Sequence, residues 1–254
     1  MNLLRDGHVT VWNEERVAYY NYRDNNAPTP NWIGHDAVIS YLADTTQVNN
    51  TMYYGKIRDL DIGHLYIRNF RERPSDYDRI DGIIAKFSNT KGMIVDVRNN
   101  GGGDSQNAKK IASRFADSSR LCCKTRRKNG PGHGDFNEWE DHYINPAENA
   151  YHKKVCVLIN EYSYSSAEMF ALFMKTFPHV TLVGDTTGGG GGNPITRELP
   201  NGWLYRFSTW QEVSPDMQQT ENNGIYPDVA VWLTKQEYDE NIDAILEKAI
   251  EMLK

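Results

Sequence analysis

Cysteine is scarce in this chain, and its arrangement excludes two readings. Cys122, Cys123 and Cys156 make an odd count without regular spacing. They offer neither a disulfide framework nor a zinc-binding pattern. No apolar run reaches the length of a membrane span, and no repeat or low-complexity linker is present. The opening Met1-Asn2-Leu3-Leu4-Arg5-Asp6 turns polar too soon for a signal peptide. Basic excess is missing as well: 28 Lys and Arg face 34 Asp and Glu, a net charge of −6. That argues against a nucleic-acid partner, which needs a basic patch. The one basic cluster, Lys124 to Lys128, is followed by Asp135, Glu138, Glu140 and Asp141 and reads as a solvated loop.

What is present is ordinary globular material. With 254 residues, 39% hydrophobic and 24% charged, the chain suffices for one large domain or a domain with a small appendage. Periodicity then orders it. Val9–Trp12 reads as a strand after a short helix end, and Asp36–Leu42 as a short helix. Gly63–Ile67 reads as a strand and Ser75–Phe87 as a helix. Gly92–Val97 is a continuous apolar strand of the kind buried in a parallel sheet. A helix follows with Ala108, Ile111, Ala112 and Phe115 on one face and Asp104 or Ser105 as cap. Residues 121–150 read as a strand and a long irregular loop. Lys154–Asn160, the helix Ser166–Phe177 and Val180–Gly184 repeat the strand-helix-strand pattern. Two strands flank Pro200-Asn201-Gly202. Val229–Leu233 is the last strand, and one amphipathic helix runs from Lys235 to Leu253, capped near Thr234. The β-α-β-α-β run from 92 to 184 predicts an α/β fold with a mostly parallel sheet.

Two glycine-rich loops follow buried strands, Asn100–Gly103 and Gly188–Gly192. In open α/β sheets such carboxyl ends gather sites. Neither loop has a phosphate-binding Gly-Lys-Ser/Thr ending, so no nucleotide cofactor is expected. Glycine also permits close backbone approach, which would let Gly101 or Gly102 aim an N–H at a carbonyl oxygen. Between strand and helix lies Tyr162-Ser163-Tyr164-Ser165-Ser166-Ala167-Glu168. Serines there can cap the helix or offer a nucleophile where free N–H groups favour negative charge. A nucleophile needs a base, and spacing alone does not choose among the seven histidines.

Taken together, six pieces resemble a known family. They are Asp6-Gly7-His8-Val9, Ile62–Ile67, Val95–Gly103, Asn160–Glu168, Gly184–Gly190 and Glu221–Asp228. Their order and spacing are similar to the core domain of the tail-specific (C-terminal processing) serine peptidases and their tricorn-protease relatives. The resemblance implies a ClpP/crotonase-like core of stacked β-β-α units, with residues 61–254 as the peptidase core. Residues 1–60 would be its N-terminal part or the remnant of a subdomain, too short for a PDZ module. The tail-specific branch pairs its serine with a lysine in the loop after the third strand. Here that loop, Thr187–Gly192, has no lysine, which points to the tricorn-like Ser/His version. The resemblance then implies Ser165 as nucleophile, with Ser163 the less favoured neighbour, His8 as base and Glu221 as its support. Gly101, Gly102 and Ser166 would form the oxyanion hole, and Gly188, Gly189 and Gly190 would contact substrate. Gly7 stands where the tricorn-like pattern has serine. The implied partner is a peptide or unfolded protein, with no metal or other cofactor. Oligomerisation is left open, and the implied site of action is periplasmic or extracellular. The alternative is a non-catalytic module on the same fold that binds peptides or small apolar ligands.

Overall fold

The computed structural model describes residues 6–19 and 31–254; the expected helix end before Asp6 lies outside the described residues. In chain order, β1 (Thr10–Trp12) and β2 (Val17–Tyr19) form a hairpin, followed by α1 (His35–Ser40). Then come β3 (Thr46–Gln47), β4 (Met52–Lys56), β5 (Ile62–Ile67), α2 (Ile80–Phe87) and β6 (Gly92–Asp96). These lead to α3 (Ser105–Ala112), β7 (Arg120–Arg127), β8 (Glu140–Ile144), β9 (Lys154–Ile159) and α4 (Ser166–Lys175). The chain ends with β10 (Val180–Gly184), β11 (Pro194–Glu198), β12 (Leu204–Ser208), β13 (Trp210–Val213), β14 (Val229–Ala230), α5 (Lys235–Asp239) and α6 (Ala244–Leu253).

Seven strands make the central sheet in the order β14-β10-β9-β6-β5-β4-β3. Its four pairings from β14 to β5 are parallel, and the last two are antiparallel. Strand side chains alternate between faces, and both faces are apolar here. Met93, Val95, Val155 and Val157 pack on one side with Ile83, Phe87, Ile111 and Phe170 of α2, α3 and α4. Ile94, Cys156 and Leu158 pack on the other with Val38, Ile245 and Ile250 of α1 and α6. Each such aliphatic side chain contributes roughly 1.5–3 kcal/mol by leaving water. Double-sided burial is why β6 and β9 read as unbroken apolar runs. Among the described residues, no helix is long and apolar enough to cross a membrane.

Four expectations are corrected. Residues 121–150 do not form a long loop: β7 and β8 pair as an antiparallel hairpin. The Lys124–Arg127 cluster is therefore strand. Its cations have partners that pattern reading misses: Arg126 lies over Phe136 and Trp139, each 4.5 Å from the ring centre. The expected helix from Ser75 is a 3₁₀ turn, Pro74–Tyr77, followed by α2. The expected strand Val229–Leu233 shortens to Val229–Ala230. The expected helix Lys235–Leu253 breaks into α5 and α6, with Asn241 at φ 59° between them.

That break has a structural use. Asp243 caps α6 by accepting from Leu246 N, and also accepts from the buried Arg98 Nη1 at 2.7 Å. Arg98 in turn holds Asp96, Nη2 to Oδ2 at 2.6 Å, and lies over Trp32. Burial opposes ionisation of Asp96, but Arg98 outweighs it and keeps the carboxyl at about 2. An unbroken helix could not deliver Asp243 to this ion pair. The pair anchors the carboxyl end of β6, where the loop Asn99–Gly103 begins.

Candidate active site

The loop after β9 sets the geometry of the candidate nucleophile. Ser165 has φ 57° and ψ −121°, a backbone state that costs a non-glycine residue roughly 1–3 kcal/mol and persists only where its surroundings enforce it. Glu168 supplies much of that enforcement. Its Oε2 accepts from Ser165 N at 2.9 Å and Gly190 N at 2.6 Å, while Oε1 accepts from Gly189 N at 2.6 Å and Thr187 Oγ1 at 2.7 Å. One buried carboxylate therefore ties the serine turn to the second glycine loop. Gly102 closes in from the other loop. It has φ 84°, and a Cβ there would lie 2.8 Å from Ser165 Cβ, so only glycine fits.

The three serines separate clearly. Ser163 is fully buried; its Oγ donates to Val97 O at 2.8 Å and accepts from Asn160 N. Ser166 Oγ donates to Gly103 O at 2.6 Å. Ser165 lines a cavity of about 610 Å³, together with His8, Gly101, Met169, Gly190 and Arg206.

His8 enters this cavity from the far end of the chain. Its backbone N donates to Asp6 Oδ1 at 2.9 Å. Asp6 also accepts from Ser208 N and Oγ, which fastens this turn to the end of β12. The His8 ring lies 5.0 Å from that of Tyr164, the neighbour of Ser165. Glu221 arrives from the segment after β13, where its Oε1 accepts from Gly7 N at 2.9 Å. Asp6, His8 and Glu221 each bring a ligand-type atom within 4.8 Å of the others. His8 Nδ1 and Glu221 Oε2 are both buried without hydrogen-bond partners. Among the described residues no hydrogen bond joins His8 to Ser165.

Residues 61–231 match the model of peptidase family S41. The chain belongs to this family. A candidate peptidase of Parabacteroides merdae, known from its crystal structure, is 35% identical and superposes with TM-score 0.86 over 98% of this chain and 78% of its own. The carboxy-terminal processing protease CtpA of Bacillus subtilis is 28% identical over 193 residues, 75% of this chain and 39% of its own length. The chain thus spans well under two thirds of that relative. Mature CPAF shares the fold, with TM-score 0.71 at 18% identity over 84% of this chain and 55% of its own. The ClpP/crotonase-like architecture expected from the sequence is the one observed.

Within this S41 core, burial dominates the electrostatics. It pushes the His8 imidazole down to about 4, aided by Arg206 and opposed by Asp6. Burial pushes Glu221 up to about 7; the Gly7 N–H works against this, and Asp6 and Glu168 add to it. Glu212, which also lines the cavity, is pushed up to about 8 by burial and then by the charge of Glu168. At neutral pH His8 is an uncharged base, and Glu221 is poised between its two forms.

Not every expected donor faces the cavity. Gly102 N donates to Asn100 Oδ1 at 2.9 Å. Gly188 N donates to Ser163 O, and Gly189 and Gly190 donate to Glu168. The glycine loop spends these N–H groups on holding itself, and only Gly190 of the three lines the cavity. Gly101 and Ser166 line it as well. Asp6, Arg206 and Glu212 were not singled out from the sequence. Asp6 lies two residues from His8, which was a usable signal. Arg206 and Glu212 sit on strands whose pairing sequence does not reveal.

Proposed function

We propose that this chain is the catalytic core of a serine peptidase that hydrolyses peptide bonds in peptides or unfolded proteins. Ser165 attacks the scissile carbonyl, and its proton passes to His8, which returns it to the leaving amine. Glu221 supports the imidazolium, because an anion within a few ångströms favours the protonated ring. The N–H groups of Gly101 and Ser166, at the head of α4, receive the developing oxyanion. The observation that carries this reading is the strained Ser165 facing the same cavity as the neutral His8. Catalytic hydrogen bonds are often loose before substrate binds.

A fluorophosphonate probe tests it. Labelling of the full chain is expected at Ser165, with loss in Ser165→Ala. No labelling of the unaltered protein, together with retained binding of a peptide library, would favour the non-catalytic module instead.

A further inference from the structure

We propose that Asp6, His8 and Glu221 form a binding site for a zinc-type divalent cation, and that occupancy switches the enzyme off. The argument rests on counting lone pairs. Each carboxylate oxygen has about two acceptor positions. Asp6 Oδ1 spends two, on His8 N and Ser208 Oγ; Oδ2 spends one, on Ser208 N. One position on Asp6 Oδ2 remains. Glu221 Oε1 is held by Gly7 N, while Oε2 has no partner. His8, only 5% exposed, has its Nδ1 likewise unpartnered. One nitrogen and two carboxylate oxygens thus keep open valences in one corner, with one ligand atom from each within 4.8 Å of the others.

Zinc takes such a donor set at roughly 2.0–2.2 Å per bond, which spaces tetrahedral ligands about 3.3 Å apart. Modest rotation of Glu221 brings the three into that range. The hydrogen bonds from Ser208 and Gly7 already orient both carboxylates, as outer-shell partners do in built metal sites. A fourth position would remain for water. A softer cation fits better than magnesium, which demands near-octahedral oxygen coordination and keeps its waters.

The inhibitory consequence rests on the reading of His8 as the base. A metal on Nδ1 obliges the neutral ring to carry its proton on Nε2. The nitrogen left to face Ser165 then donates and cannot accept. No proton transfer from the serine is possible until the metal leaves.

Zinc chloride titrated calorimetrically into the full-length Ser165→Ala chain should show one site. Asp6→Asn and Glu221→Gln, each made in that background and checked for cooperative unfolding, should weaken it by at least about tenfold. Nitrogen-15 spectra should show the His8 Nδ1 resonance moving on saturation. In the unaltered protein zinc should slow fluorophosphonate labelling, and a chelator should restore it. Unchanged affinity in both variants, or an unmoved Nδ1 resonance, overturns the site. Zinc that binds with these signatures yet leaves labelling untouched overturns the switch and removes His8 as base, while the metal site stands.

Discussion

Gly7 donates its backbone N–H to Glu221 Oε1 at 2.9 Å, across 214 positions of sequence. This bond places a carboxylate beside His8 with no side chain from residue 7. It aims Oε2 into the same buried corner as His8 Nδ1. The pH dependence follows. Glu221 supports His8 only when ionised, and burial has raised it to about 7. His8, at about 4, is already neutral well below that. The kcat/KM of the peptidase should therefore rise with pH through about 7. Glu221→Gln should flatten that limb and lower the plateau by roughly two orders of magnitude or more. A rising limb that survives in Glu221→Gln would assign the titration elsewhere.

Glu168 gathers four donors, from Ser165, Thr187, Gly189 and Gly190. Glutamine keeps the shape but replaces one acceptor oxygen with a donor facing N–H groups. Glu168→Gln should cost about 3 kcal/mol of stability, the order seen when a buried, charged acceptor is lost. Turnover should fall with it, since Ser165 loses the contact that holds its strained backbone. Thermal unfolding and probe labelling at a temperature where the variant is folded measure the two effects separately.

Ser163 is a structural neighbour and not a second nucleophile. Ser163→Ala leaves Val97 C=O and Asn160 N–H without this partner inside the core. A loss of about 1–3 kcal/mol is expected, with the folded fraction still labelled at Ser165. Peptide mapping of the labelled protein distinguishes the two serines.

Glu212 is fully buried, raised to about 8, and its Oε2 has no partner. A carboxyl raised in the folded state binds more protons there than in the unfolded chain. Stability from this group is complete below its unfolded value, near 4.5, and is lost as pH rises through about 8. Glu212→Gln removes the ionisation. Its Tm relative to the unaltered protein should climb between pH 5 and pH 9 by several degrees, at about 2–4 °C per kcal/mol for a domain of this size. A constant difference across that range would mean Glu212 does not titrate there.

Much of the fold was legible because it is written in local periodicity. The apolar runs of β6, β9 and β10 and the helices after β6 and β9 repeat at spacings that depend only on backbone geometry. The strand-loop-helix step around Ser165 was legible for the same reason, and the family motifs narrowed three serines toward one. The break between α5 and α6 was not. Its cause is the pull of Arg98 on Asp243, a contact between residues 145 positions apart. The β7–β8 hairpin was missed because its charged side chains rest on aromatic rings, a partner that hydropathy does not register.

The sequence by itself determined the sheet, the helices and the chemical types available at each loop. Tertiary structure alone decided which groups remain free to act. Glycine N–H groups that looked available are spent on Asn100 and Glu168, and Ser163 is spent on Val97. His8, Glu221 and Asp6 are left with open valences in one buried corner. A residue's identity sets how many hydrogen bonds it can make. Only packing settles which of them are already made, because that depends on neighbours brought close by burial and not by chain order.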